Sequence, residues 1–500
     1  MKKIICSIGI LFLIVIISLN LIFTAKLEET ECINIVNNNL LYITLNISLA
    51  ILIYFLASKL NKRLENNEKK RKKIFYIALG IFISFNIIYA LVVNPKVIGD
   101  SVHVCNLAQT FYRGNVEEFL PNVTYAGVTL KEYMQAYPQQ LSLAFAYSIF
   151  FRIIYFDIME FLRVLNVIGN IGIVIALYKI NEQLSKQYKT NKTLLVILIL
   201  TFISLPLLVT FIYGDIPSIA LCLFSVYFMM KYIEGKTKKY FILATIFTMI
   251  AYMMRMNSLI FIIATVMYLI LKASEGFNNR GWKENILNII MIIIFIVATI
   301  SPSLIVKNYY FAKYDLDKSK IYPNTSYFLM GMEKSSRGNG WYNEAIATKA
   351  LKNPQDVKQE YVEKIKERIT YFYKNPREAF EFYTMKIASM WTENTYSAVR
   401  NNNVKEDDLL ENIINPLTFY QKALLIATCL CSLIVLIQNR RNLSLELIFL
   451  LTIFVGGFTF HILWEAKSRY IIPYIIVLIP IASIKINEET FWDRLKKFSK

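Results

Sequence analysis

Twelve apolar runs of 15–21 residues punctuate the chain, at 4–23, 40–57, 74–93, 161–178, 193–213, 216–232, 240–254, 257–272, 286–306, 419–437, 443–461 and 469–486. Lipid offers no hydrogen bonds to a bare backbone, so runs of this length dictate helices that cross a bilayer. The composition agrees. Of 500 residues 56% are hydrophobic and the mean hydropathy is +0.43, more apolar surface than a soluble protein of this size can hide. The expected fold is an all-α polytopic membrane protein of about twelve transmembrane helices.

The formal net charge of +19 would suit nucleic acid, but the basic residues sit in short loops between apolar runs, the pattern of membrane orientation. Nucleic acid is therefore excluded as a partner. Loop 59–73 carries eight Lys/Arg and is assigned to the cytoplasm. Loops 179–192, 231–239, 272–284 and 438–442 carry thirteen more. All thirteen share the cytoplasmic side only if a further apolar stretch, 141–156, does not cross. That stretch is expected to lie at the outer leaflet. Both termini then face the cytoplasm, in agreement with the basic tail "DRLKKFSK". The apolar core after Met1-Lys2-Lys3 is too long for a cleaved signal and reads as a first span. Runs 240–254 and 257–272 read as a hairpin, which keeps Arg255 out of mid-membrane.

The chain divides into an N-terminal hairpin and basic loop (1–73), a membrane core (74–306) with a first outer loop at 94–160, a large outer loop (307–418), and C-terminal helices with a tail (419–500). Within the large loop, "DVKQEYVEKIKERITYFYK" has helical periodicity, Asn375-Pro376 interrupts it, and "REAFEFYTMKIASMW" resumes it. The six cysteines have no metal-ligand spacing. Only Cys32 and Cys105 fall in outer segments, and a bridge between them is not expected.

Polar clusters collect at the outer ends of spans: Asp100 and His103, "YPQQ" (137–140), "YGD" (213–215), "RMN" (255–257) and "EAKSRY" (465–470). Each has a bland reading beside a chemical one. Asp100 opens "DSVHVCNLAQTFYRG" and suits a helix N-cap as well as a general base. Glu465 and Arg469, at i,i+4, suit an intrahelical salt bridge or a phosphate-binding guanidinium with its orienting acid. Arg255 can snorkel, Asp215 can cap the helix at Ile216-Pro217, Lys386 can lie on a solvated helix face, and His103 can be structural. Few ionisable residues lie deep in spans, Glu446 being a turn from one end, and no inverted repeat is visible, which disfavours an ion-coupled pump.

An acid after an early span, a "YP" before a juxtamembrane helix, an Arg-x-Asn hairpin, an outer loop with "NP" and a following Lys/Trp helix, and a closing "ExxxRY" before "IIP" together resemble the GT-C superfamily of polyprenyl-phosphate-sugar glycosyltransferases. The similarity is greatest to the protein O-mannosyltransferase and lipid A aminoarabinose transferase group (glycosyltransferase family 39-like) and spans about residues 74–486. Ser101 stands where many relatives have a second acid, "YPQ" replaces the usual "YPP", and the first two spans lie outside the family core.

The resemblance implies an inverting transfer on the outer face of the plasma membrane, from a polyprenyl-phosphate sugar to a glycan, teichoic acid, lipid or protein acceptor. Asp100 would be the base. Arg255, Arg469 and Lys386 would hold the donor phosphate, with Glu465 orienting Arg469. His103, Tyr137, Tyr213, Asp215, Asn257 and Trp464 would complete the pocket. Family members differ in metal use, and no acid cluster here demands a divalent ion. Two other classes fit the sequence: a lipid-linked-sugar flippase or polysaccharide transporter, and a non-catalytic scaffold or sensor built on the large loop.

Overall fold

The computed structural model describes residues 1–28, 30–93, 95, 97, 99–114, 124, 125, 127–153, 158–275, 282–401 and 408–487. The tail "DRLKKFSK" and the Asn94 turn lie outside the described residues. The chain is helical almost throughout. Its main helices are α1 (Lys2–Ile22), α2 (Leu40–Glu65), α3 (Glu68–Val92), α4 (Asp100–Arg113), α5 (Leu130–Ala136), α6 (Leu141–Ile153), α7 (Ile158–Leu184), α8 (Lys192–Leu200), α9 (Asp215–Gly235), α10 (Lys238–Met254), α11 (Leu259–Ser274), α12 (Trp282–Lys313), α13 (Thr325–Met332), α14 (Glu344–Lys352), α15 (Pro354–Lys374), α16 (Pro376–Trp391), α17 (Asp408–Asn439), α18 (Leu445–Leu463), α19 (Ile472–Ile476) and α20 (Leu478–Ala482). A ribbon that the apolar pattern did not announce, β1 (Phe23–Leu27) with β2 (Ile33–Asn37), joins α1 to α2 in antiparallel register.

Among the described residues, ten helical segments are long and apolar enough to cross a membrane. The other two expected spans fall short of that measure. Helix α10 has 17 residues, and the run at 469–486, which holds Pro473 and Pro480, is broken at Val477 into the five-residue α19 and α20. Helix α6, with 13 residues, rises about 20 Å, less than a hydrocarbon core of about 30 Å.

Ion pairs gather the basic loops at one end of the bundle. Lys485 meets Glu65 at 2.7 Å, Lys236 meets Glu284 at 2.9 Å, Lys2 meets Glu275 at 2.6 Å, and Lys186 pairs with Glu234. Gln187 Nε2 donates to Glu446 at 2.9 Å. The Lys236 and Glu275 contacts put both ends of the α10–α11 segment on this side, so the segment is a hairpin that turns at Arg255. The polar clusters named above lie at the opposite end.

The turns at that far end are pinned from within the bundle. Asn166 and Asn170, one helical turn apart on α7, are both buried. Asn166 Nδ2 donates to Val209 O and Phe211 O, and Asn170 Nδ2 to Leu205 O. The apolar run at 192–210 breaks after α8. Gln421 Oε1 there accepts from Ile203 N at 3.1 Å, supplying the partner that an opened helix needs in apolar surroundings. Helices α4, α5 and α6 form a platform whose core includes Val104, Leu107, Met134, Leu143 and Tyr147. It packs on the end of α12, where Phe111 stacks on Tyr310 at 4.0 Å. A capping box between Thr129 and Glu132 starts α5. All the described cysteines are free, Cys32 and Cys105 included.

Candidate active site

Asp100 does not cap α4. The N-cap position belongs to Gly99, at φ 61°, and Asp100 is the first helical residue, with an exposed side chain. Its Oδ2 accepts from the Tyr213 hydroxyl at 3.0 Å, and Gln140 Nε2 donates to that same hydroxyl at 2.7 Å. The "YPQQ" stretch thus reaches the acid through Tyr213. One turn on, His103 lies flat on Tyr133, with centroids 4.2 Å apart. Burial holds the His103 imidazole below its ordinary range against the pull of Asp100, so it is neutral at pH 7.

Asp215 is likewise not a cap, for Gly214, at φ 78°, precedes it. A side chain at 214 would meet Leu143 at 3.0 Å and Met254 O at 3.3 Å, so the turn needs glycine on both counts. Asp215 Oδ1 lies 3.3 Å from Arg255 Nε and 3.7 Å from Arg469 Nε. The Arg255 guanidinium covers the Tyr213 ring at 4.3 Å, and that of Arg469 covers Phe211 at 4.2 Å. Tyr213 therefore carries Asp100 on its hydroxyl and Arg255 on its face. Neither Nε makes a hydrogen bond among the described residues, and Asp215 Oδ2 has no partner there either. Two cations share one carboxylate, so the triad keeps one positive charge and unspent donors. Asp215, Arg255, Asn257, Arg469 and Tyr470 line a small pocket whose other walls include Ser218, Ser258 and apolar residues such as Leu205, Ile219 and Phe261.

Three expectations need correcting. Glu465 and Arg469 share no helix face, because α18 ends at Leu463 and the chain is extended through Trp464 and Lys467. Glu465 faces Lys467 instead, at 3.8 Å. Burial raises its carboxyl, and Lys467 opposes the rise. Lys386 is not on a solvated face, nor are its donors open to a phosphate. It is fully buried, and its ammonium donates to Gly331 O, Ile462 O and Trp464 O at 2.6, 2.8 and 2.8 Å. Burial pulls its pKa down to about 7, against Glu465. Trp464 stands among rings, stacked between Tyr327 at 4.9 Å and Phe460 at 5.0 Å. Tyr137 bridges Tyr133 and Tyr322, at 5.1 and 5.5 Å, and completes an aromatic row that starts at His103.

The 464–469 segment is fastened on several sides. Ala466 N donates to Gly340 O at 2.8 Å, and the Ser468 and Ser397 hydroxyls meet at 2.9 Å. Gly331 comes so close that a Cβ there would stand 2.2 Å from Leu463 O. Lys386 is thus the clamp beneath Trp464. Lys386→Met leaves three buried carbonyls without a donor and is expected to cost on the order of 3 kcal/mol. The readout is a lower melting temperature in detergent. An unchanged melting temperature together with lost donor binding would return Lys386 to the phosphate.

Residues 141–305 match the family model described as dolichyl-phosphate-mannose-protein mannosyltransferase. The match takes in α6 through most of α12, including Tyr213, Asp215, Arg255 and Asn257 but neither Asp100 nor Arg469. It supports a lipid-linked-sugar glycosyltransferase of the GT-C, family 39-like type. No curated protein matches the chain.

Proposed function

We propose that the protein is an inverting glycosyltransferase that moves a sugar from a polyprenyl-phosphate donor to a cell-envelope acceptor at the extracytoplasmic face. The observation that carries this reading is the chain of contacts Asp100–Tyr213–Arg255–Asp215–Arg469 at the end of the bundle away from the basic loops. A sugar phosphodiester bears one negative charge, which matches the one positive charge left on the Arg–Asp–Arg triad. The apolar walls of the same pocket suit a donor whose tail stays in lipid.

Asp100 takes the proton from an acceptor hydroxyl as that oxygen attacks the anomeric carbon. The bond from that carbon to the phosphate oxygen breaks, and the phosphate leaves on its lipid. Arg255 and Arg469 take up the charge that grows on the leaving oxygen. One direct displacement inverts the anomeric centre. The aromatic row from His103 through Tyr133, Tyr137, Tyr322 and Tyr327 to Trp464 links the helix that carries the acid to the 464–469 segment. With the basic loops in the cytoplasm, the site faces outward and the protein sits in the plasma membrane with both termini inside.

Purified protein in liposomes, given each donor class separately, tests the reaction. Transfer is expected from a polyprenyl monophosphate sugar and not from a nucleotide sugar. Transfer from a nucleotide sugar with no lipid carrier would end this reading. Orientation is tested by single cysteines at Gln187 and Ser335, on a background cleared of the native cysteines. An impermeant thiol reagent applied to whole cells should label position 335 and spare 187, and the reverse pattern would invert the topology.

A further inference from the structure

Beside the donor triad, a second group of cations is assembled by a segment outside the matched family region. Glu31, in the β1–β2 turn, sends Oε1 to Arg400 at 2.7 Å and Oε2 to Arg337. Ile33 N donates to Arg337 O at 2.9 Å and Ala25 N to Thr392 O at 3.2 Å, so the ribbon is docked on the large loop. Lys467 faces Glu465 on the adjoining extended segment. Burial works against ionising Glu31, and Lys467, Arg400, Arg337 and Arg469 outweigh it, so its carboxyl titrates below the usual range.

Four features mark this cluster as more than a staple. Arg337, Arg400 and Lys467 outnumber Glu31 and Glu465 by one charge, even with both acids ionised. The three cations keep 25%, 23% and 25% of their side chains exposed. Lys386 and Lys422, by contrast, are closed off, their donors spent on backbone carbonyls and Thr24. Arg337 also lies over the Tyr342 ring at 4.7 Å, which fixes the plane of its fork. Glu31 is itself held at φ 64°, a conformation that L residues seldom adopt.

We propose that Arg337, Arg400 and Lys467 form a second anion subsite, which binds a phosphate group carried by the acceptor, with the Glu31 carboxylate standing in for that phosphate until the acceptor arrives. This rests on the function proposed above, for it gives each of two substrates its own positive charge. Arginine forks that now grip the two carboxylate oxygens are shaped to grip two phosphate oxygens.

The sign of one substitution separates this subsite from a purely structural ion pair. Glu31→Gln keeps the shape of the side chain and removes the competing charge. In phosphatidylcholine nanodiscs, glycerol 1-phosphate should bind this variant about tenfold more tightly than the unaltered protein at low salt. Arg400→Gln should bind it about tenfold more weakly. Arg469→Ala, which alters the donor triad, should shift that binding far less. A parallel series with phosphatidylglycerol in the nanodisc tells a lipid-borne phosphate from a soluble one, and preference for either supports the subsite. Binding to Glu31→Gln that is unchanged or weaker overturns it, as does binding lost only in Arg469→Ala, or no binding at all. If Glu31→Gln does not fold, Arg400→Gln and Arg400→Lys decide, since loss in both with unchanged melting is expected here and retention in Arg400→Gln refutes it. These readouts use no sugar transfer, so they stand apart from the donor assay.

Discussion

Asp100→Asn is expected to lose about 10²–10⁴-fold in turnover, the range for removal of a general base, while folding and donor binding stay near normal. The structure makes this substitution a clean one. Asp100 is exposed and caps nothing, so the substitution costs the helix only the small stabilisation of an acid in its first turn, about 0.3–1 kcal/mol. Asn can still accept from the Tyr213 hydroxyl, leaving the Gln140–Tyr213 contact intact. What it cannot do is take a proton. Single-turnover transfer from a polyprenyl-phosphate sugar, with donor binding measured separately, checks the result. Near-normal transfer by Asp100→Asn would reduce the carboxylate to a hydrogen-bond acceptor for Tyr213 and leave the reaction without its base.

Apolar runs revealed most of the membrane helices, because a span of lipid demands length and hydropathy and little else. They failed where the backbone opens. The break after α8 is met by Gln421, which is remote in sequence, and the break at Val477 falls between two short helices that each contain a proline. The far-end clusters were legible as a set, since each sits beside a span end. Their pairings were not. An i,i+4 pattern at Glu465 and Arg469 assumed a helix that stops at Leu463, where Ala466 is drawn to Gly340 instead. The solvated-face reading of Lys386 failed because its acceptors come from residues 331, 462 and 464, brought in by the close approach of Gly331. Asp100 and Asp215 resembled caps because aspartate suits that position, yet each follows a glycine that occupies it. Glu31 carried no signal, since it lies among the acids of "KLEETECI" in a turn between two spans.

Arg469→Ala is expected to weaken donor binding and to lower turnover by about 10²–10³-fold, comparable to removing one donor from a preorganised anion site. Two effects add. In the proposed reaction the guanidinium would give a charge-assisted hydrogen bond to the donor phosphate in the ground state and meet a larger charge as the sugar leaves. Its removal also changes the triad from one positive charge to none, because Asp215 is then balanced by Arg255 alone at 3.3 Å. The phosphodiester would enter a pocket that no longer offers it a counter-charge. Arg469→Lys restores the charge without the planar fork and the stacking on Phe211, so recovery should be partial. Asp215→Asn separates charge from geometry. It leaves both arginines in place with two positive charges, so donor and leaving phosphate alike should be held more tightly, and turnover should fall through slow product release rather than through weak binding. Donor titration and burst kinetics on the three variants read these orders directly. An Arg469→Ala variant with unchanged donor affinity and unchanged turnover would remove the triad from the reaction.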